Sequence, residues 1–152
     1  EPVKIVISGT AGTGKSFLIN NLADHLTVKY CEKGRSAVKP AVIICAPTGI
    51  AAVQIKGATI HSLFKIEVQK GASAALRDMR KDALQENRAL LGNVRLFIID
   101  EMSMVSNVLL AKINLRLQEI FSNNEPFAGK NIILLGDLMQ LPPVRASKIF
   151  EN

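Results

Sequence analysis

Eight residues near the start, Gly9, Thr10, Ala11, Gly12, Thr13, Gly14, Lys15 and Ser16, fill every fixed position of the pattern G-x-x-x-x-G-K-[ST]. Glycine lets such a loop turn tightly enough to point successive N–H groups inward, an anion nest at a helix start. Lys15 adds a full positive charge for terminal phosphates, and the Ser16 hydroxyl is of a type that ligates Mg²⁺. Far along the chain, Asp100 and Glu101 follow six mostly apolar residues. A carboxylate so placed can hold the magnesium of a nucleoside triphosphate, largely through water, and a neighbouring one can take a proton from an attacking water. The chemistry these groups suggest is binding of Mg-ATP and hydrolysis of its terminal phosphate. A water-activating Glu101 separates that reaction from phosphate transfer by the small nucleotide kinases, whose acceptor is the substrate.

For these groups to meet, the chain must bring distant segments to one edge. Four short, β-branched, nearly continuous apolar runs, VKIVI (3–7), AVIIC (41–45), VRLFII (94–99) and NIILL (131–135), read as strands covered on both faces of a parallel sheet. Helix-period stripes lie between them. Leu18, Leu22 and Leu26 form the first, and Leu76, Met79, Leu84, Asn87 and Leu91 a looser second. The third comprises Val105, Leu109, Ile113, Leu117 and Phe121, with Ser103 as its expected N-cap. Strand–helix alternation gives an α/β fold of the P-loop NTPase type, a mainly parallel sheet with helices on both faces. Residues 46–66 fit no regular element, and SNNEPFAGKN (122–131) reads as a turn. In open α/β sheets ligands sit beyond the carboxyl ends of the strands, so the loop and the acidic pair should share a crevice.

At 152 residues, 48% of them hydrophobic, the chain suits one domain with a filled core. No apolar run approaches the roughly 20 residues of a membrane span, so no membrane association is expected. Two cysteines without metal-like spacing, Cys31 and Cys45, suggest an intracellular protein, with Cys45 a small core residue. Nineteen Lys and Arg against thirteen Asp and Glu leave a net charge of +6, which suits a polyanion but does not select one.

Three more stretches complete a set: APTGIAAVQIKGATIHSLF (46–64), IIDEMSMV (98–105) and LLGDLMQLPPV (134–144). With GTAGTGKS, and in this order and spacing, they resemble the superfamily 1 DNA helicases of the petite-integration-frequency (Pif) family, relatives of the RecD-type enzymes. The resemblance covers nearly the whole chain. It implies a RecA-like fold and an ATP- and Mg²⁺-dependent motor that walks 5′ to 3′ on single-stranded DNA and unwinds duplexes and forks. Carried over by residue, it makes residues 9–16 the phosphate loop, Ser16 and Asp100 the metal ligands, and Glu101 the base. It makes Gln140 a sensor of the γ-phosphate, on the loop after Gly136 and Asp137. It makes Pro47, Thr48 and Gly49 a contact to the DNA backbone and Thr59, His61 and Ser62 a second DNA-facing segment. Small hydroxyls and N–H groups suit that task, because phosphates carry no sequence information.

Plainer readings stand beside these. Gln140 could cap the loop before Pro142-Pro143, and His61 could be structural; His25 reads as solvated, and Arg77, Arg80, Lys81 and Arg88 as a solvated helix face. The family's adenine-reading glutamine segment would lie before Glu1, and its second motor domain, with an arginine finger, beyond residue 152. The chain is therefore expected to be the first motor domain of a longer parent, weakly active or inactive alone, with that second domain as partner. The parent's compartment, in a eukaryote, would be nucleus or mitochondrion. A DNA-loading or remodelling ATPase is the alternative enzyme, and a binding module without turnover the alternative outside enzymes. The segment GDLMQLPPV speaks against the first, and intact Lys15, Ser16, Asp100, Glu101 and Gln140 against the second.

Overall fold

The computed structural model describes residues 1–31, 40–67, 76–137 and 139–140. Among the described residues five strands, β1 (Lys4–Ser8), β2 (Val42–Ala46), β3 (Ala58–Thr59), β4 (Leu96–Ile99) and β5 (Asn131–Gly136), form one sheet in the order β1-β5-β4-β2-β3. Every pairing is parallel, as the continuous apolar runs require. The register sets Val6 beside Leu134, Ile98 beside Ile133 and Ile44 beside Ile98.

Both faces of the sheet are covered at its centre, but not at the edge strand β1. Ile5 and Val6, expected in a strand covered on both faces, are 42% and 46% exposed because β1 has, among the described residues, a neighbour on one side only. Along β4, Leu96 and Ile98 point to one side with Ile133, Leu135, Ile19 and Ala23, against α1 (Lys15–Cys31). Phe97 and Ile99 point to the other, into a larger core with Ile113, Leu117 and Ile120 of α5 (Asn107–Phe121) and Leu91 of α4 (Lys81–Leu91). Residues 97–99 are completely buried, each such side chain stabilising by about 1.5–3 kcal/mol. Phe64 and Phe97 stack at 5.7 Å between ring centroids in a tilted pair.

The helices depart from their expected stripes in instructive ways. On α1 the buried positions are Ile19 and Ala23, with Leu22 and Leu26 half-buried beside them, while Leu18 is 45% exposed. A spacing of four drifts around a 3.6-residue helix, so one end of the leucine row leaves the sheet. The helix α4 starts only at Lys81; Leu76 and Met79 pack on the core from a non-helical approach. That approach is clamped by α5: the Met79 N–H donates to Glu119 Oε1 at 2.8 Å, and Arg116 Nη2 donates to the Arg77 carbonyl at 3.0 Å. Buried Asn87 donates to the Leu63 carbonyl at 3.1 Å, which explains a polar residue within an apolar stripe. Ser103 does not cap α5. The cap is Ser106, whose hydroxyl accepts from the Leu109 N–H at 3.0 Å, because Met102–Met104 form a separate 3₁₀ turn.

Residues 46–66, without a regular pattern in sequence, contain three short elements: α2 (Gly49–Gln54), β3 and α3 (Ile60–Leu63). Elements of two to six residues are too short to show a periodicity; their threonine caps define them. The 122–131 turn holds a short coiled segment, Pro126–Gly129, in which Phe127 and Ala128 have left-handed backbone, before β5. Arg88, expected as solvated surface, reaches the end of α5 and donates to the carbonyls of Ile120 (2.8 Å) and Glu119 (3.0 Å). A guanidinium there satisfies orphan carbonyls and complements the helix dipole. Lys81 and His25 are exposed, and Cys45 is a core residue whose thiol burial pushes up to about 12.

Candidate nucleotide site and nucleic-acid face

Because all five strands are parallel, the loops that follow them emerge on one edge, and the strand order fixes their sequence along it. From one end come the phosphate loop after β1, Asp137 after β5, Asp100-Glu101 after β4, Pro47-Thr48 after β2, and Thr59 leading into α3. Nucleotide-binding and DNA-facing candidates thus occupy opposite ends, with the acidic pair between them.

In the phosphate loop, Gly12 and Gly14 have φ of +77° and +82°, conformations that side chains resist. Thr13 Oγ1 donates to the Thr10 carbonyl at 2.8 Å and steadies the turn. The Lys15 ammonium curls under the loop, donating to the carbonyls of Gly9 (2.6 Å) and Thr10 (2.7 Å), and so sits at its centre. The Gly9 N–H donates to the Gly136 carbonyl at 3.1 Å, tying the loop to the end of β5. Ser16 is exposed in the first turn of α1, near the positive end of that helix's dipole.

Asp100 is buried, its N–H donating to the Cys45 carbonyl at 2.9 Å. Burial raises its carboxyl above the usual range, against the opposing pull of the Glu101 N–H and of Lys15. Glu101 is also raised, by burial first and then by Asp100; Lys15 pulls it down and Asp137 pushes it up. Glu101 is left-handed, with φ 53° and ψ 46°, a strain of about 1–3 kcal/mol for a residue with a side chain. The neighbouring packing holds it there: a Cβ on Gly136 would stand 2.8 Å from the Met102 nitrogen and 2.9 Å from Met102 Cγ. Only glycine at the end of β5 lets the turn after Glu101 lie this close.

Asp137 is the member of this cluster that the motif reading left without a chemical role. It is buried, follows an apolar strand as Asp100 does, and acts on Glu101 from the strand next door. That shared context, a carboxylate at the end of a buried strand, was its signal. Gln140 is exposed; its N–H donates to the Asp137 carbonyl at 3.1 Å, and the Met139 N–H to Asp137 Oδ1 at 2.9 Å, so Asp137 organises the turn that carries it. Leu138, Pro142-Pro143 and the closing ASKIFEN lie outside the described residues.

At the other end, the Thr48 hydroxyl accepts from the Ala51 N–H at 3.3 Å and caps α2, and the Thr59 hydroxyl accepts from Ser62 at 3.2 Å and caps α3. Each hydroxyl keeps its own proton to donate outward. Gly49 and Ser62 are exposed, and Pro47 is half-buried. His61 is half-buried, and burial, followed by the charge of Lys112 on α5, holds its imidazole below its usual range. A neutral imidazole there can donate to a phosphate but adds no charge.

Among the described residues no cluster of three or more His, Cys, Asp or Glu could hold a metal alone. The donors nonetheless suit Mg²⁺, which uses one or two carboxylates together with phosphate oxygens and water. Burial raises both Asp100 and Glu101, and neighbouring carboxylates raise Glu101 further, a situation that a nearby dication relieves. No helix among the described residues is long and apolar enough to cross a membrane.

Comparison with known proteins places the arrangement. The family profile described as PIF1-like helicase matches residues 1–149. The ATP-dependent DNA helicase PIF1 of Candida albicans is 36% identical over 144 residues, covering 93% of this chain and 15% of the relative. That of Campylobacter jejuni is 34% identical over 148 residues, covering 95% and 30%. Among solved structures, Bacteroides Pif1 in complex with ADP-AlF3 and single-stranded DNA superposes with a TM-score of 0.72 at 34% identity, covering 95% of this chain and 30% of that one. Candida albicans Pif1 reaches 0.77 at 31% identity, covering 99% and 33%. The chain therefore spans under a third of the length of these curated relatives.

Proposed function

Since this chain belongs to the PIF1-like helicase family, we propose that it is the first, nucleotide-binding motor domain of an ATP-dependent DNA helicase. Its parent couples ATP hydrolysis to 5′-to-3′ movement on single-stranded DNA and unwinds forked duplexes. The observation that carries the reading is the layout of one sheet edge, with the phosphate loop at one end, Asp100 and Glu101 in the middle, and two short helices with threonine caps at the other.

Residues 9–16 surround the phosphates of ATP with N–H groups, and Lys15 neutralises charge on the β and γ positions. Ser16 and Asp100 would hold Mg²⁺, which when bound would supply charge neutralisation for the phosphates. Glu101, its carboxylate made more basic by burial and by Asp100, takes the proton of the attacking water. Gln140 reads the γ-phosphate through its amide. Pro47, Thr48, Gly49, Thr59, His61 and Ser62 touch the DNA backbone. Asp100 hydrogen-bonds to β2 immediately before Pro47-Thr48, so a change at the phosphates has a short route to the DNA contact. A second motor domain of the same parent supplies the arginine for the spreading γ-phosphoryl charge, a contribution of about 10³–10⁵ in rate. We assign the parent to an intracellular compartment.

The test is ATP hydrolysis by the full-length protein with and without single-stranded DNA, beside strand separation on forks with a 5′ or a 3′ tail. DNA-stimulated hydrolysis and unwinding of the 5′-tailed fork are expected. Hydrolysis indifferent to DNA, with neither fork opened, overturns the helicase reading in favour of a loading or remodelling ATPase.

A further inference from the structure

Beyond the motif residues, the described part of the molecule has a hollow of about 300 Å³ where the exit of α3, the 76–80 approach and α5 meet. Five cations line it: Lys65, Arg77, Arg80, Lys112 and Arg116. Glu67 and Asp78 also stand on its wall, and Glu119 and Asp82 pair with Arg116 and Arg80. The group therefore carries an excess of one positive charge, with Lys65 and Lys112 among its cations outside those pairs. We propose that this hollow is a phosphate subsite for single-stranded DNA, continuing the backbone path beyond α3, with Lys65 and Lys112 as the contacting cations. The inference rests on the nucleic-acid reading above and adds a place and two residues to it.

Continuity with the DNA-facing segment comes first. Lys65 lies two residues beyond the end of α3, which carries His61 and Ser62, and the Ile66 N–H donates to the His61 carbonyl at 3.0 Å. Lys112 reaches the same place from α5, near enough for its charge to act on His61. The hollow is also built rather than incidental. Lys65 is left-handed, with φ 50°, a conformation that costs energy unless its surroundings enforce it. Buried Arg116 lies behind it, donating to the carbonyls of Arg77 at 3.0 Å and Lys65 at 3.5 Å and pairing with Glu119.

The cations divide by role. Arg116 is tied to Glu119 and to two carbonyls and serves as scaffold, although its Nε has no partner among the described residues. Arg80 lies 3.8 Å from Asp82 with both side chains exposed, a pair worth little in water. Lys65 is exposed and Lys112 half-buried. Flexible ammonium groups beside a concave wall suit a phosphodiester, which must be held without regard to base and released at each step.

The experiment measures single-stranded DNA affinity of the full-length protein against salt, for the wild type, Lys65→Gln/Lys112→Gln, and Lys4→Gln/Lys29→Gln, which removes the same charge elsewhere. Each phosphate neutralised contributes about 0.7 to the slope of log K against log salt on single strands. Losing two contacts should lower the slope by about 1.4 and the affinity at moderate salt by roughly tenfold or more, while the Lys4/Lys29 variant keeps the wild-type slope. Equal slopes for the wild type and the Lys65/Lys112 variant overturn the subsite while leaving the helicase reading intact. Absence of DNA binding by the wild type overturns both. Inorganic phosphate at matched ionic strength should displace DNA no better than chloride; selective displacement that requires Lys65 and Lys112 would mean a free-anion pocket instead.

Discussion

At the nucleotide end, working groups stand in unfavourable local situations. Glu101 is left-handed, Asp100 is a buried carboxylate raised by desolvation, and Gly12 and Gly14 hold positive φ. At the α2–α3 end, the candidates are comfortable: Thr48 and Thr59, both half-buried, sit in extended backbone and cap short helices. The difference fits the two tasks proposed for these ends. Hydrolysis needs a base and cations held in fixed relation before the substrate arrives, so the fold stores strain and buried charge there. A track that must release a phosphate at every step gains nothing from such cost, and its polar groups come from residues already needed to start helices.

The sharpest way to break this contrast is Glu101→Gln in the full-length protein. It should leave Mg-ATP affinity nearly unchanged while lowering turnover by about 10²–10⁴, the usual contribution of a positioned base. Unimpaired turnover would remove Glu101 from the chemistry. Lys15→Ala should act on affinity instead, weakening ATP by roughly ten- to a hundredfold, since hydrogen bonds to a charged group contribute about 1.5–3 kcal/mol. Equal affinity losses in the two variants would erase the division between binding group and base.

Gly136→Ala probes the packing that enforces the strain. A methyl 2.8 Å from the Met102 nitrogen must push the turn after Glu101 aside, at a cost of about 1–3 kcal/mol in stability with a loss of turnover besides. An unchanged melting temperature together with unchanged turnover would show that the close approach does not hold Glu101.

Thr48 tests the comfortable end. Thr48→Ala should cost about 0.5–2 kcal/mol through the lost cap and weaken DNA binding as well. Thr48→Asp keeps a cap, so stability should survive while the added charge repels the backbone. Wild-type DNA affinity for the aspartate variant would end the contact assignment.

The smallest expected effect concerns Asp100. Its folded-state carboxyl is raised, so the unfolded chain gives up the proton first, and stability falls as pH rises from the ordinary carboxylate range through the raised value. Thermal unfolding of Asp100→Asn should match the wild type at the acid end and exceed it slightly at neutral pH. A mutant that is less stable at neutral pH would show that the carboxylate strengthens the fold rather than straining it.

The sequence by itself determined the kinds of parts. Continuous apolar runs gave four of the five strands within a residue or two, because a parallel strand buried on both faces carries that signature locally. The phosphate loop was equally legible, since its glycines answer to backbone dihedrals that depend on nothing distant. The two-residue β3 and the caps at Thr48, Thr59 and Ser106 lie below what periodicity can show, and local sequence points to Ser103 rather than Ser106 because it cannot count the extra 3₁₀ turn. The order of the strands was decided only in three dimensions. By inserting β5 between β1 and β4, the fold sets Asp137 beside Asp100 and Glu101. By laying β2 and β3 beyond β4, it sends the segments 47–49 and 59–62 to the far end and leaves Glu101 in the middle. Order along the chain cannot supply that arrangement, because it follows from which apolar faces bury each other best across gaps of many residues.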